Sequence, residues 1–454
     1  MRPNIPLLAL MLATTFLSAC AATPAFKRPD VAAPAAFTGT QGQTPTAINA
    51  AWWQNFGSDE LDQLMTEALA QNTDIRAGVH RVEQARADLK IAGANLLPSI
   101  GASAGAGRNF QNNPSAQSTN LSLGANISYE LDLFGGNKAG VSAARANLAQ
   151  TQYGEDALKL VVMGDVAKGY FTFVNLRERL AIADDNLKNA REVMRIVQAR
   201  YDAGAVSALD VAEQKTVVSS REASRAALQS QLTQAGDALA VLLGRAPQDL
   251  SVRGSVLRDI DVPKIAAGQP SSLLERRPDI QAAEAGLVAA NANIGVARAA
   301  LFPQVTLGTN WSLAAAGFTN PATTALALAA SLSAPIFEGG RLEGGVEKAS
   351  AKQAELAEDY RKTVLTAFQE VEDAIAALRA AHEREVALGA AVTDAQRAYG
   401  LSRDQYNAGA IDFQQMLSTQ DTLLSTQDSH AQTRLESLSA AIDLYKALGG
   451  GWNP

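Results

Sequence analysis

Five residues invite a catalytic reading. Gly101-Ala102-Ser103-Ala104-Gly105 has the G-x-S-x-G spacing that places a serine nucleophile on a sharp strand-to-helix elbow. The elbow needs a strand, a turn and a helix, and this motif lies inside a Gly/Ala/Ser tract that reads as strand, with no HGGG-type loop elsewhere. The spacing is therefore read as coincidence. His80, His382 and His430 are the only histidines, and none sits at metal-ligand spacing. The pairs Asp184-Asp185 and Glu372-Asp373 lie among basic residues on helical stretches and read as solvated surface. No catalytic residue, metal or cofactor is expected, and Ser103→Ala is expected to change no hydrolytic activity.

Cys20 is the single cysteine, so it cannot form an internal disulfide. It follows Arg2, an apolar stretch from Leu7 to Leu17 too short to span a bilayer, and the small residues Ser18 and Ala19. Residues 1–19 read as a lipoprotein signal peptide and Cys20 as the acceptor of an N-acyl and an S-diacylglycerol group. Two or more acyl chains hold firmly to a membrane where one does not. Ala21 in place of Asp favours sorting to the outer membrane. Residues 20–57, with Pro24, Pro29, Pro34 and Pro45, read as an extended tether along the body, pinned by Trp52 and Trp53.

The 454 residues carry a net charge of −7 and no basic patch of the kind nucleic acid requires. No apolar run of eighteen residues follows the signal, so a membrane crossing would have to be a closed β-barrel.

The chain repeats itself at a fixed offset of 205. Asp74-Ile75 recurs as Asp279-Ile280, Tyr201-x-Ala203-Gly204 as Tyr406-x-Ala408-Gly409, and Leu243-Gly244 as Leu448-Gly449. A repeat this long implies two similar half-structures about a pseudo-symmetry axis, not a short solenoid module. The boundaries read as a first repeat over 58–250 with a hairpin at 99–134, a linker over 251–270, and a second repeat over 271–454 with a hairpin at 304–337.

Within each repeat the period changes twice. From Ser58 one helix of about 40 residues is expected to run to Leu97, where Pro98 stops it. Leu121, Leu123, Ala125, Ile127, Tyr129, Leu131 and Leu133 then alternate with polar residues, as in a strand apolar on one side. Ile100 to Phe110 is a weaker strand, joined to it by the loop Gln111 to Asn120. Val305, Leu307, Thr309, Trp311 and Leu313 alternate likewise, as do Leu326, Leu328, Ala330 and Leu332, giving four strands per chain. Asn137 to Tyr201 and Arg341 to Tyr406 read as very long helices, followed by helices from Ser207 to Leu243 and Asp412 to Leu448. A short strand is expected at Ser251 to Val256. Gly204 and Gly409 fit left-handed helix ends, and Ser207 with Asp210 fits a capping box.

Trp52-Trp53-x-x-Phe56, Leu131-Asp132-Leu133-Phe134-Gly135, Glu275-Arg276-Arg277-Pro278-Asp279-Ile280, Pro335-Ile336-Phe337-x-Gly339-Gly340-Arg341 and the two Tyr-x-x-Gly turns together resemble the TolC-like outer-membrane efflux proteins, in the lipoprotein (NodT-like) branch serving resistance-nodulation-division pumps. The resemblance implies a mixed α/β membrane protein. Three chains would build a 12-stranded outer-membrane β-barrel continuous with a long periplasmic α-helical barrel. It implies an exit duct, a periplasmic adaptor, an inner-membrane pump, contact with outer-membrane lipid, and a gate at the helix-pair ends. Gly204, Ser207, Asp210, Glu213, Gly409, Asp412, Gln414 and Ser418 are its candidate residues. Gln414 and Ser418 stand where members often carry Leu and Asp, which puts the familiar aspartate ring in doubt. The alternative reading is a coiled-coil structural lipoprotein of the envelope without a pore.

Overall fold

The computed structural model describes residues 23–38, 48–109, 118–253, 257, 260–316 and 321–452. The signal segment and Cys20 lie outside them, as do most of the 111–120 loop and residues 254–256 of the expected short strand; Ser251 to Arg253 form no strand.

The duplication is visible in element lengths. The first half contains α1 (Asp59–Gln71), α2 (Thr73–Ala94), β1 (Ser99–Asn109), β2 (Ser118–Leu131), α3 (Gly136–Asp202) and α4 (Ala208–Leu242). The second contains α5 (Leu273–Arg276), α6 (Pro278–Ala299), β3 (Gln304–Ala316), β4 (Thr323–Ser333), α7 (Arg341–Asn407) and α8 (Phe413–Ala447). Helices α3 and α7 each have 67 residues, α4 and α8 each 35, and α2 and α6 each 22. At 1.5 Å per residue the longest pair are each roughly 100 Å long. Among the described residues, no helix is long and apolar enough to cross a membrane.

The expected single helix from Ser58 to Leu97 is two helices broken at Asn72. The Asn72 carboxamide oxygen accepts from the amides of Asp74 (2.9 Å) and Ile75 (3.1 Å), capping α2 in place of a continuing turn. Its Nδ2 donates to the Leu242 carbonyl at 2.8 Å, fixing the end of α4. Arg277, at the equivalent place in the second half, donates instead to the Ala447 carbonyl at 3.2 Å and to Glu370 at 2.6 Å. The two contacts are 205 residues apart at both ends, with different side chains doing the same work.

The described chain forms two compact units, and each draws on both repeats. One comprises residues up to 31, 80–153 and 279–363. It holds a four-stranded antiparallel sheet in the order β1-β2-β3-β4. Its register places Ala102, Ala125, Trp311 and Leu326 in one row, and Ile100, Ile127, Thr309 and Leu328 in the next. Because strand side chains alternate, these rows make one continuous apolar face. The other face aligns Ser103, Gly124, Ser312 and Ala325, then Gly101, Asn126, Asn310 and Ala327. The apolar face is exposed: Leu326, Leu328 and Leu332 are all at least 69% accessible. Ser103 sits in mid-strand opposite Gly124, with no helix following it, so the nucleophile-elbow geometry is absent.

The other unit comprises 32–79, 154–278 and 364–454. Its core gathers Trp52, Phe56, Leu61, Met65, Tyr170, Phe171, Leu239 and Tyr445. Trp52 is fully buried and stacks on Tyr445 at 5.1 Å between centroids. Burial raises the Tyr445 phenol above its usual range, against the opposing effect of the hydrogen bond from Asn55 (2.9 Å). The tether is thus anchored through an aromatic cluster. Trp52→Ala is expected to destabilise this unit by about 3–5 kcal/mol, read as a lowered thermal unfolding midpoint; an unchanged midpoint would contradict the packing.

Candidate functional site

The expected gate residues lie at two helix-pair turns in the same compact unit. At the first, α3 ends with Gly204 at φ 70°; the Ala205 amide donates to the Arg200 carbonyl (2.8 Å) and the Gly204 amide to that of Tyr201 (2.9 Å). At the second, Gly409 has φ 74°, Ala410 donates to Gln405 (2.9 Å) and Gly409 to Tyr406 (3.0 Å). Both are Schellman endings, in which a left-handed residue lets the chain satisfy the last helical carbonyls. Glycine holds that conformation without the clash a Cβ would bring.

The following helices begin differently. Ser207 caps α4 in a reciprocal box: the Ser207 amide donates to the Asp210 carboxylate (2.8 Å) and the Asp210 amide to the Ser207 hydroxyl (3.3 Å). Asp412 caps α8 alone, accepting from the Gln415 amide at 2.8 Å. Asp210 and Asp412 therefore hold their own helix starts, where a carboxylate is also favoured by the helix dipole. Gln414 and Ser418 are exposed on α8, and Glu213 is half-buried on α4.

The two turns are joined by residues that sequence reasoning did not single out. Val193, Val197 and Val211 of the first helix pair pack with Tyr406, Phe413, Met416 and Leu417 of the second. The Arg200 guanidinium lies 4.5 Å from the centre of the Tyr406 ring and within 3.4 Å of the Tyr406 and Asn407 carbonyls. Tyr406 is consequently buried (5% accessible), while its repeat equivalent Tyr201 is 43% accessible beside an exposed Leu209. Position 405 is Gln, so the second repeat cannot return the contact. The only advance signal was an arginine at one turn and a glutamine at the other.

Farther from the turns, ion pairs fix the order of the helices. Asp184–Arg225 and Arg191–Glu222 join α3 to α4. Lys168–Asp443 (2.6 Å) and Arg179–Asp428 (2.6 Å) join α3 to α8. Arg434–Glu385 (2.6 Å) and Arg384–Glu436 join α8 to α7. Arg221–Asp421 links α4 to α8 nearer the turns. Among the described residues no cluster of His, Cys, Asp or Glu could hold a metal ion.

The N-terminal tether has a built path in the sheet-bearing unit. Asn291 of α6 donates to the Pro24 carbonyl at 2.8 Å, and Arg28 pairs with Glu284 at 2.8 Å. A Cβ on Gly295 would lie 2.0 Å from the Thr23 hydroxyl, so glycine is what lets the strap approach α6. In the other unit Phe37 is buried and the Thr38 amide donates to Glu372 at 2.9 Å.

An amphipathic sheet with an exposed apolar face, built from two hairpins that each lead into a 67-residue helix, defines a channel-type protein of the bacterial outer membrane. The chain belongs to the outer membrane efflux protein family, whose model matches it twice, at residues 64–245 and 269–450, again 205 apart. It is 40% identical to the pyoverdine export outer membrane protein OpmQ of Pseudomonas aeruginosa, over 98% of this chain and 97% of that one. It is 30% identical to the cation efflux system protein CusC of Escherichia coli, over 96% and 97%. Among solved structures it matches the outer-membrane channel OprN (TM-score 0.86, 29% identity, 96% of this chain and 100% of that one) and the open state of the MtrE outer membrane channel of Neisseria gonorrhoeae (TM-score 0.84, 30%, 95% and 98%). The chain is thus a TolC-like efflux channel of the outer membrane.

Removing the reciprocal cap by Ser207→Ala is expected to cost the start of α4 about 1 kcal/mol. Amide hydrogen exchange should then quicken over residues 208–211 while the start of α8 is unchanged; equal loosening of both would contradict the separate capping.

Proposed function

We propose that three copies of this chain form one passive exit duct of a tripartite efflux assembly. The observation that carries this is the sheet: β1 and β4 each have one strand neighbour, and the apolar face is continuous across all four strands. In hydrocarbon each unpaired peptide group costs several kcal/mol, so the edges must be paired. Four strands are too few to close, and eight make a barrel filled by its own side chains; twelve leave a water-filled passage.

The duct performs no chemistry of its own. Ser103 lies in a β-ladder, and the family is one of transport proteins. Energy comes from an inner-membrane pump of the resistance-nodulation-division type, delivered through a periplasmic adaptor whose hairpins meet the exposed Tyr201 at the helix-pair ends. Asp210, Glu213, Asp412, Gln414 and Ser418 surround the constriction there, with Gly204, Ser207 and Gly409 shaping its turns. Cys20 carries the N-acyl and S-diacylglycerol groups that hold the strap to the outer membrane. Two relatives named for pyoverdine export, at 40% and 38% identity, make a siderophore of that kind the first cargo to test.

Purified protein in planar bilayers is expected to pass stepwise current, raised when Asp210 and Asp412 are both replaced by Ala. A pore-free envelope scaffold would pass none in either form, and that result would overturn the duct. Cys20→Ser is expected to abolish incorporation of labelled palmitate; retained label would remove the lipid assignment.

A further inference from the structure

We propose that the free flank of α7 around Arg379 is closed by α4 of a second copy of this chain, with Asp237 of that copy pairing with Arg379. The proposal rests on the ring of copies proposed above and names the side chains that join one copy to the next.

Near the turns α4 also reaches α8 through Arg221–Asp421, and α3 reaches α7 through Arg200 and Tyr406; farther from them, at the level of Asp237 and Arg379, the ion pairs between α3 and α4, α3 and α8, and α8 and α7 give the order α4-α3-α8-α7 within one chain. Its two flanks are α4 and α7. Where such a set closes into a ring with copies of itself, α7 of one copy must meet α4 of the next.

Both flanks carry a stripe suited to that meeting. On α7, Leu365, Arg379 and Val386 are separated by multiples of seven residues, the spacing of one helix face in a coiled coil. All three are exposed. On α4, Leu209 and Asp237 are separated by 28 residues, as are Glu213 and Val241. Leu209, Asp237 and Val241 are exposed, and Ala223 and Ala227 between them allow close approach.

The charges match in kind and in height. Arg379 and Asp237 have no hydrogen-bond or ionic partner among the described residues. The two turns pack into one cluster, so height can be counted from their glycines. Arg379 lies 30 residues before Gly409 and Asp237 lies 33 residues after Gly204. Three residues of helix are about 4.5 Å, within reach of an arginine. The same antiparallel register sets Val241 beside Ile375.

The α7 flank is also incomplete as it stands. Beside Arg379 a cavity of about 870 Å³ opens between α7, α8 and the 261–267 segment, walled by Val262, Pro263, Ile265 and Ile375, with Asp261, Glu385 and Arg434 also at its lining. Lys264 stands at the same cavity, also without a partner among the described residues. An apolar side chain with an adjacent carboxylate, such as Val241 and Asp237 provide one turn apart, complements the apolar wall and the two cations there that have no partner among the described residues, Arg379 and Lys264.

The test uses the full chain carrying Asp237→Cys and Arg379→Cys together, extracted in detergent and oxidised or treated with a short bismaleimide. Covalent species of two and three chains are expected on a denaturing gel, and each single variant, which also controls for Cys20, should leave single chains. In parallel, Arg379→Glu and Asp237→Arg are each expected to lose assembled trimer by native mass, and the double exchange to regain it. A trimer by native mass that gives no inter-chain link, or a link within one chain, would overturn this seam while leaving the duct intact. A protein that is monomeric by native mass in its unaltered form would overturn the ring itself and the seam with it.

Discussion

The structure depends on one constraint: a backbone hydrogen-bonding group in hydrocarbon must have a partner in the protein. The four-stranded sheet satisfies its inner strands and leaves β1 and β4 with an open edge each. Its apolar face would be a liability in water, where exposed patches of this kind invite association. In a membrane the same face is the correct solvent match, and the open edges become joining surfaces. Outer-membrane placement, association of copies and a hollow interior are therefore consequences of one arrangement, not separate properties.

Duplication supplies the architecture, and departures from it supply the asymmetry. Equal helix lengths and the twin Schellman endings at Gly204 and Gly409 show how closely the halves agree. Asn72 and Arg277 tie equivalent helix ends through different chemistry. At the turns the halves part: Arg200 covers Tyr406, while Tyr201 stays open. The second turn is thereby covered by the first, while the aromatic side chain of the first stays exposed.

Much of this was legible in the sequence, and for identifiable reasons. The strands of the second hairpin and β2 show period-two alternation, which a sheet with two different faces requires. The long helices could be read because no proline interrupts 115–246, and the turn glycines because few residues tolerate φ near 70°. Other features left no such trace. The tie from Asn72 to the end of α4 reaches a carbonyl 170 residues away. The path of the strap depends on the missing side chain of Gly295. The compact units each draw on both halves, so a division by repeat does not describe the packing. Ser103 shows the reverse case, a spacing that imitates a catalytic elbow inside a Gly/Ala/Ser strand.

The most direct test is residue-resolved hydrogen exchange of the purified protein in detergent micelles or lipid nanodiscs. If copies pair edge to edge, the outward-facing amides of β1 and β4 will be protected as strongly as those of β2 and β3. Rapid exchange confined to β1 and β4, with β2 and β3 protected, would mean that the sheet stays open and that no barrel forms.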